Sequence, residues 1–281
     1  MRRSWVAVLA LTTMCAPPER REESPAESRA FPACLAGTPA KRFRLPAGLR
    51  EISGLAAMAD GRLLAHDDEH GEIGEIDPDG RIVKAFALEP RLVADFEGIA
   101  VAEDRIFLLV SDGRLIETRE GAPGERVPYT VHRTGFERAC EFEGLAYEPD
   151  DRSLLLLCKT AMMKELRGTL TVFRWSVTEH RPMSPDRMSI ALPKELRDRI
   201  GGGFRGSGLE RHPVTGQYLA ISSINRAALL FTRSGELVEA APLSRWHQQP
   251  EAVAILADGR VVLGDEGGKS AGRLTIYSCG Q

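Results

Sequence analysis

The sequence predicts an all-β protein, a β-propeller of five four-stranded blades, and three observations predict this fold. A short phrase recurs at intervals of about 45 residues, the period of propeller repeats, with one longer interval before the fourth copy. Each copy opens a run of β-type residues. Short runs of this kind alternate with turn residues over the rest of each repeat. The five copies are Glu51-Ile-Ser-Gly-Leu-Ala, Glu97-Gly-Ile-Ala, Glu143-Gly-Leu-Ala, Ser207-Gly-Leu-Glu and Glu251-Ala-Val-Ala.

The first repeat shows the four-strand pattern most clearly. Asp60-Gly61 and the segment Asp77-Pro-Asp-Gly80 supply turn chemistry between its runs. The second repeat has the same pattern, with Arg126–Val131 as its predicted fourth strand. The runs of the first repeat are Ile52–Met58, Arg62–His66, Glu72–Ile76 and Arg81–Leu88.

The fifth repeat is one strand short, and the sequence predicts where the missing strand lies. Lys41-Arg-Phe-Arg-Leu45, ahead of the first phrase, has the pattern of a strand that closes the ring and leaves no open edge. The long interval before the fourth phrase leaves a sixth, degenerate blade open. Glu179–Arg205 fits better as an insertion with a helical turn or two.

The N-terminus is typical of an export signal, with a basic start and a short apolar segment that ends at Cys15. Cys15 resembles the lipidated cysteine of a bacterial lipoprotein, although Met14 stands where a small residue is expected, so ordinary cleavage stays open. We predict a signal peptide over residues 1–15, a linker rich in Pro, Ala and Glu over 16–40, and a propeller over 41–281. The protein is then a membrane-anchored lipoprotein or a periplasmic or secreted protein, with membrane contact only through its N-terminus.

The composition argues against some classes of function. The chain is 43% hydrophobic and 27% charged, which predicts a globular protein with a substantial core. A formal net charge of −3 and a pI of 6.1 indicate no basic surface for nucleic acid. We expect a monomer.

Four cysteines remain when Cys15 is set aside. Cys34 and Cys279 flank the two ends of the folded region, and Cys140 and Cys158 flank one hairpin. In an oxidising compartment these are the natural disulfide pairs, and four ordinary thiols are the alternative.

Strand direction predicts that two sets of side chains meet at one mouth of the central channel. In a four-stranded blade, the inner strand begins at the face where the second strand ends. The first set opens the inner strands and contains the predicted metal ligands Glu51, Glu97, Glu143 and Glu251. The remaining predicted ligand-binding residues are Asp67, Asp68, Asp112, Lys159, Ser207, Glu210, Asp265 and Glu266.

This mouth is strongly acidic, and crowded carboxylates raise one another's pKa unless a cation neutralises them. Calcium is a hard cation that prefers oxygen ligands, so it is the cofactor that such a site favours most. A cationic or polyol ligand is the other solution, with Lys159 balancing part of the charge. A purely structural role is the alternative, in which Glu-Gly only caps turns and preserves blade geometry.

The repeats resemble a known family through Leu49-Arg-Glu-Ile-Ser-Gly-Leu-Ala56, Asp95-Phe-Glu-Gly-Ile-Ala100, Cys140-Glu-Phe-Glu-Gly-Leu-Ala146 and Ser207-Gly-Leu-Glu-Arg-His-Pro213. These motifs look like the SdiA-regulated (YjiK-like) propellers of the bacterial envelope, and the resemblance covers Lys41 to Ser278. It implies a propeller fold and an envelope location, without a settled activity. More distantly, the repeats are similar to esterase-like phytase and lactonase-type propellers, whose mouths hold calcium. Lys159 departs from their acidic pattern and argues against a tight multi-calcium phytase site.

The leading functional hypothesis is an exported, lipid-anchored propeller that binds a metal ion, calcium above all, at its acidic mouth. Through that site it would recognise a small molecule or a component of the cell envelope. A calcium-dependent hydrolase of lactones or phosphate esters is the enzymatic alternative, and a metal-free scaffold for protein interactions is the third. Binding is favoured over catalysis, and no catalytic residue is assigned.

Overall fold

The computed structural model describes residues 31–77 and 80–279, which fold as five sheets arranged as the blades of a propeller. The inner strands of successive blades contact one another around a central channel, and the inner strand of the last blade contacts that of the first. This closed ring confirms the predicted all-β propeller of five blades.

The strands follow the chain in order, and the first one stands ahead of the blades. It is β1 (Lys41–Arg44). Blades 1 and 2 are built from β2 (Ile52–Ala57), β3 (Leu63–Asp67), β4 (Glu72–Ile76), β5 (Ile82–Glu89), β6 (Phe96–Ala102), β7 (Arg105–Val110), β8 (Arg114–Thr118), β9 (Arg126–Pro128) and β10 (Thr130–Arg133).

Blades 3 to 5 continue the same order, with a short helix α1 (Lys194–Ile200) after blade 3. Their strands are β11 (Cys140–Glu148), β12 (Ser153–Ala161), β13 (Thr169–Ser176), β14 (Arg181–Ala191), β15 (Gly208–Arg211), β16 (Tyr218–Ser222), β17 (Ala227–Phe231), β18 (Leu237–Pro242), β19 (Pro250–Ile255), β20 (Val261–Asp265) and β21 (Arg273–Tyr277). Single 3₁₀ turns lie at Ala33–Ala36, Ala47–Leu49 and Lys164–Leu166.

The hydrophobic pattern of each strand follows its place in the blade. The middle strands β7 and β12 are near-continuous apolar runs, because both of their faces pack against neighbouring blades. The outer strand β14 is mostly exposed, with Met188 and Ile190 buried toward the core. Apolar layers between adjacent blades therefore form the core.

Glycine at the start of the inner strands allows neighbouring blades to approach closely. A Cβ atom on Gly98 of β6 would lie 2.8 Å from the backbone nitrogen of Leu145 in β11. A Cβ on Gly144 would lie 2.8 Å from the nitrogen of Leu209 in β15, and Gly144 also has a φ of 92°. Both distances are too short for any side chain, so blade packing requires glycine at these two positions.

The N-terminal strand closes the ring, as predicted. β1 pairs antiparallel with β21, with Phe43 opposite Leu274, and it completes the four strands of blade 5. A disulfide between Cys34 and Cys279 joins the two ends of this seam.

The second predicted disulfide pair is also bonded in the structure. Cys140 opens β11 and bonds to Cys158 in the paired strand β12, across one hairpin of blade 3. Both disulfides therefore join the pairs that the sequence favoured.

The predicted strand Arg126–Val131 is wrong, because the chain divides there between two blades. β9 adds to blade 1 as a fifth strand, parallel to β5, with Val127 buried opposite Leu88. β10 then returns to pair with β8 as the outer strand of blade 2. Pro128, which has no N–H to donate, stands at the end of β9, where pairing with blade 1 stops.

The long interval before the fourth phrase does not contain a sixth blade within the described residues. β14 takes up much of it as an eleven-residue strand. The predicted helical turns follow as α1, whose Leu196 packs against blade 4 side chains such as Tyr218.

The predicted linker over residues 16–40 is too long, because residues 31 to 40 belong to the folded unit. Leu35 is fully buried, and its carbonyl accepts a hydrogen bond from Ser244 N at 2.9 Å. The disulfide at Cys34 and this apolar contact hold the segment against blades 4 and 5. Within the described residues, no helix has the length and apolarity needed to cross a membrane.

The seam disulfide is expected to contribute more stability than the hairpin disulfide. It links residues 245 apart, whereas Cys140–Cys158 links residues 18 apart, so it restricts the unfolded chain more. We expect Cys34→Ser with Cys279→Ser to lower the free energy of unfolding by about 5 kcal/mol, and Cys140→Ser with Cys158→Ser by about 3 kcal/mol. Denaturant titration measures both, and a larger loss in the hairpin variant would contradict this ranking.

Candidate functional site at the channel mouth

A β-bulge at the start of an inner strand turns Glu97 toward the channel. Phe96 pairs with Val110 and Gly98 pairs with Leu109, so Glu97 is an extra residue without a partner in β7. Bulges bend the strand and redirect the side chain of the extra residue. The local geometry therefore points Glu97 away from the regular pleat of blade 2.

Equivalent positions in the other blades form a ring of side chains, which we call the mouth ring. The register shifts in the same way at Ser53 of blade 1 and Glu251 of blade 5. Pairing is also irregular at Glu143 of blade 3, and Ser207 directly precedes β15 of blade 4. The mouth ring thus contains Ser53, Glu97, Glu143, Ser207 and Glu251.

Glu51 does not occupy the ring position that the sequence predicted for it. It precedes the bulge of blade 1, its side chain is 39% exposed, and it pairs with Arg50 at 3.1 Å. The glycine after the ring residue sets the register, so Ser53 before Gly54 corresponds to Glu97 before Gly98. Four copies of the phrase begin with glutamate, and this pattern placed the predicted ring residue of blade 1 two positions too early.

Backbone hydrogen bonds between blades bring the second set of predicted residues beside the ring. Phe96 N donates to Asp68 O at 2.7 Å, joining the start of β6 to the end of the second strand of blade 1. Phe142 N donates to Ser111 O at 2.9 Å in the same way between blades 2 and 3. The predicted convergence of inner-strand starts and second-strand ends is therefore a property of the fold.

Glu97 lies in an environment that favours its neutral form. Burial, with the nearby charges of Asp95 and Glu251, raises the pKa of Glu97 to about 8, although the charge of Lys159 acts in the opposite direction. Ser53 Oγ donates a hydrogen bond to Glu97 Oε2 at 3.2 Å. Glu97 can therefore gain or lose a proton near neutral pH.

Glu251 is perturbed in the same direction. Burial first, and then the charge of Glu266, raise the pKa of Glu251 to about 7. A hydrogen bond with Ser223 and the charge of Lys159 partly offset this rise. Two glutamates of the mouth ring thus change charge within the physiological pH range.

Lys159 interacts with carboxylates of three blades at this mouth. It forms an ion pair with Glu143, whose side chain is almost fully buried. Its charge also lowers the pKa of Glu97, Glu251 and Glu266 relative to what burial alone would give. Lys159 therefore faces carboxylates from blades 2, 3 and 5.

A second carboxylate group lies between blades 1 and 5 and faces the same mouth. Burial and then the charge of Glu51 raise the pKa of Asp68. Burial, followed by the charges of Asp68 and Glu51, raises the pKa of Glu266. The charged forms of these three side chains repel one another, and a cation placed between them would stabilise those charged forms.

Two carboxylate oxygens in the mouth are buried without a protein donor. Asp68 Oδ1 and Glu143 Oε2 accept no hydrogen bond from any described residue. Buried polar atoms in proteins are almost always paired with protein, water or an ion. These oxygens therefore indicate where a cation or a hydrogen-bond donor would bind.

Two predicted ligand-binding aspartates are engaged in local turns. Asp67 accepts hydrogen bonds from His70 N and Nδ1, both at 2.8 Å. Asp112 accepts from Arg114 Nε at 2.7 Å in the turn between β7 and β8. Both lie on the mouth face, but their oxygens already have partners.

The carboxylate of Asp265 is buried and hydrogen-bonded within blade 5. Its Oδ2 lies 2.6 Å from His247 Nδ1, and its Oδ1 accepts from Gln248 N at 3.0 Å. His247 Nε2 in turn lies 2.6 Å from Tyr277 Oη. These hydrogen bonds occupy both carboxylate oxygens of Asp265, which also borders a cleft beside Glu266.

Ser207 links two blades through its hydroxyl group. Ser207 Oγ donates to Pro250 O at 2.6 Å and accepts from Ser223 N at 3.1 Å. Its hydroxyl is thus satisfied between blades 4 and 5, and its contribution to the ring is structural.

Glu210 does not reach the predicted mouth, because β15 carries it toward the opposite end of the channel. There it lines a cavity of about 520 Å³ together with Met58, Val101 and Tyr147. Burial raises the pKa of Glu210 to about 8. Its placement at the mouth was wrong because an inner strand spans the channel from one face to the other.

A cleft that the sequence did not predict lies at the outer part of blade 5. It has a volume of about 440 Å³ and adjoins Glu266. Trp246 is 41% exposed there, with the guanidinium of Arg42 4.8 Å from its ring and that of Arg245 5.8 Å away. The adjacent Arg245 and Trp246 in a loop were the available sequence signal.

The remaining predictions about the site concern residues or ligands that the structure does not test. Cys15, the predicted lipid attachment site, lies outside the described residues. Among the described residues, no three mouth carboxylates bring ligand oxygens within 4.8 Å of one another. A calcium ion at the mouth therefore has to be held by fewer side chains, with water as further ligands.

Comparisons with known proteins support the fold. No protein-family model matches the chain, and no curated protein matches it in sequence. A glutaminyl cyclase from Myxococcus xanthus has a similar structure, with a TM-score of 0.59 and 13% identity over 86% of this chain and 95% of that chain. A gluconolactonase from Xanthomonas campestris has a TM-score of 0.52 and 13% identity over 81% and 72%.

A luciferin-regenerating enzyme is also similar, with a TM-score of 0.53 and 7% identity over 86% of this chain and 95% of that chain. At these identities the likeness shows the β-propeller fold alone. The resemblance to SdiA-regulated proteins stays a prediction.

Glu97 and Glu251 make the stability of the metal-free protein depend on pH. Their folded-state pKa values, about 8 and about 7, lie above the ordinary glutamate value of about 4.5, so the folded state keeps protons that the unfolded chain has released. This contribution to stability is lost as the pH rises through these values. We expect the melting temperature in EDTA, followed by circular dichroism, to fall between about pH 5 and about pH 8 and to level off above that.

Replacing Glu97 tests the origin of this fall. Glu97→Gln cannot ionise, so the decrease should become smaller and should level off near pH 7, the pKa of Glu251. Glu239→Gln, on the exposed outer strand β18, is the matched control and should behave as the wild type. An identical pH profile for Glu97→Gln and the wild type would contradict the assignment.

Proposed function

We propose that the protein binds a small ligand at the channel mouth through a cation, calcium in first place, held by the mouth carboxylates. The observation that carries this proposal is the charge balance of the mouth. Six carboxylates converge there, and the charge of Lys159 acts on four of them, Glu97, Glu143, Glu251 and Glu266. The six are Glu51, Asp68, Glu97, Glu143, Glu251 and Glu266.

The perturbed pKa values support a cation in the mouth. Glu97 and Glu251 hold protons near neutral pH because their charged forms are poorly compensated. A divalent ion would displace these protons and bind the carboxylate forms. The unpartnered oxygens of Asp68 and Glu143 offer further ligand atoms in the same mouth.

The geometry suits weak binding of calcium better than a closed multi-ion site. Lys159 already neutralises Glu143, and the carboxylates do not gather three ligand oxygens tightly. Calcium accepts water among its six to eight ligands, so two carboxylates and bound water are sufficient for an affinity of about 10⁻⁴ to 10⁻³ M, as in extracellular modules. Open coordination positions of the ion would then bind an oxygen-rich small molecule or envelope component.

Two disulfides support the proposed export of the protein. Disulfides persist in oxidising compartments such as the periplasm or the cell exterior. Cys34–Cys279 and Cys140–Cys158 therefore fit an envelope or secreted location, with the N-terminal segment as signal or anchor.

Calcium should raise the melting temperature of the protein. Binding to the folded state alone stabilises it by about 2.7 kcal/mol at a hundredfold excess over Kd. For a domain of this size we expect a shift of about 5 °C or more by differential scanning fluorimetry. The shift should increase with pH, because calcium competes with the protons on Glu97 and Glu251.

Variants locate the ion. Glu97→Gln with Glu251→Gln should abolish the calcium shift, whereas Glu239→Gln should retain it in full. The glutamines mimic the protonated carboxyls, so the double variant is expected to fold. Absence of a shift in the wild type, or an undiminished shift in the double variant, would overturn the metal-binding mouth and leave the metal-free scaffold.

One observation favours a second candidate, a calcium-dependent hydrolase of lactones or phosphate esters. A general base is most effective when its pKa lies near the working pH, and Glu97 meets this condition beside the cation Lys159. In this case Glu97 would activate water, and the calcium ion would polarise the ester or phosphoryl oxygen.

Hydrolysis of aldonolactones and of p-nitrophenyl phosphate by the calcium-loaded protein tests this candidate. If Glu97 is the base, Glu97→Gln should lower the rate by about 100-fold or more. Glu239→Gln should leave the rate unchanged. Failure of the wild type to hydrolyse either substrate class, while calcium still binds, would assign the mouth to binding.

A further inference from the structure

A group of three potential metal ligands lies outside the mouth, between the outer parts of blades 2 and 3. Glu117, His132 and His180 each offer one ligand atom, and these atoms all lie within 4.8 Å of one another. β8 and β13 both begin at the mouth face, so Glu117 and the turn after β13 lie toward the opposite face. This group is therefore separate from the carboxylates of the channel.

Pairing within blade 2 brings the first two of these side chains together. Thr130 pairs with Glu117 and His132 pairs with Leu115, so Glu117 and His132 are diagonal neighbours on one face of the β8–β10 pair. His132 Nε2 lies 2.6 Å from Glu117 Oε2. The contact places a nitrogen and an oxygen, both potential metal ligands, next to each other.

The third side chain comes from the turn between β13 and β14 of blade 3. His180 has a φ of 53°, a left-handed conformation that is uncommon for a residue with a side chain. Its ring stacks on the fully buried Trp175, with an interplanar angle of 3°. The ring centroids of His180 and His132 are 4.6 Å apart. A constrained turn and an aromatic support thus hold the exposed His180 at the Glu117–His132 pair.

Arg105 connects the two blades at this point. Its NH1 group donates to Glu117 Oε1 at 3.3 Å and to Val177 O, in the turn that contains His180, at 3.4 Å. This contact occupies Oε1 of Glu117 and leaves Oε2 directed toward the histidines. Arg105 is therefore a positioning residue for both sides of the group.

We propose that Glu117, His132 and His180 bind a zinc ion that joins blades 2 and 3. Two imidazoles and one carboxylate are a ligand set of zinc sites with three protein ligands, whereas calcium prefers oxygen ligands alone. Ligand atoms around tetrahedral zinc lie about 3.3 Å apart, so Glu117 Oε2 and His132 Nε2 need to separate by only about 0.7 Å. The exposed side of His180 leaves the fourth position to water or another small oxygen ligand.

Zinc titration by calorimetry tests the site on the full chain, without an affinity tag and after treatment with EDTA and dialysis. We expect one zinc ion per chain and a higher melting temperature of the zinc-loaded protein. Cobalt in place of zinc should give the visible absorption of a tetrahedral site with nitrogen and oxygen ligands, which magnesium and calcium cannot produce.

His180→Ala is the decisive variant, because this exposed side chain can be removed without opening the core. It should weaken zinc binding by about 100-fold or more, since losing a ligand exceeds the 10- to 100-fold effect of losing a supporting contact. His70→Ala removes another partly exposed histidine, at the mouth, and should leave zinc affinity unchanged. Glu97→Gln with Glu251→Gln should also retain zinc, which separates this site from the proposed calcium mouth.

Two results would overturn the proposal. The first is a wild-type protein that binds no zinc after removal of EDTA. The second is equal zinc affinity in His180→Ala and the wild type, which would place the ion elsewhere on the chain.

Discussion

The close approach of the inner strands is the constraint on which the rest of this structure depends. At Gly98 and Gly144 the next blade lies so near that a Cβ atom would meet a backbone nitrogen at 2.8 Å. Glycine is therefore required for packing at these two positions, whereas Ala252 holds the equivalent position of blade 5. The residue just before each glycine is consequently brought to the channel mouth, whatever its chemistry.

That geometry explains why buried carboxylates with raised pKa values lie close together at the mouth. Bulges direct Glu97 and Glu251 inward, where burial and mutual repulsion favour their neutral forms. Lys159 offsets part of this charge from the second strand of blade 3. The structural interpretation of the Glu-Gly phrase and the functional one are therefore compatible, because glycine serves the packing and glutamate places a titratable carboxylate at the mouth.

Much of the fold could be predicted because strand periodicity and turn residues are local features of the sequence. Prediction of the strands failed where one continuous β-type segment is divided between two blades. Arg126–Val131 has one continuous β pattern, yet its halves pair with different blades. The metal-ligand group at Glu117, His132 and His180 has no spacing motif, because it forms only where a turn of blade 3 meets the outer strands of blade 2.

By itself, the sequence favoured five blades over six and predicted the closing strand, the favoured cysteine pairs and the end of the channel at which the acids collect. Only the tertiary structure decided which acids face that mouth. It placed Ser53 instead of Glu51 in the mouth ring, moved Glu210 to the far end, and enclosed Asp265 in a buried network with His247. The physical reason is that a one-residue bulge, or the length of a strand, changes where a side chain points. The partners that fix a bulge lie in neighbouring strands.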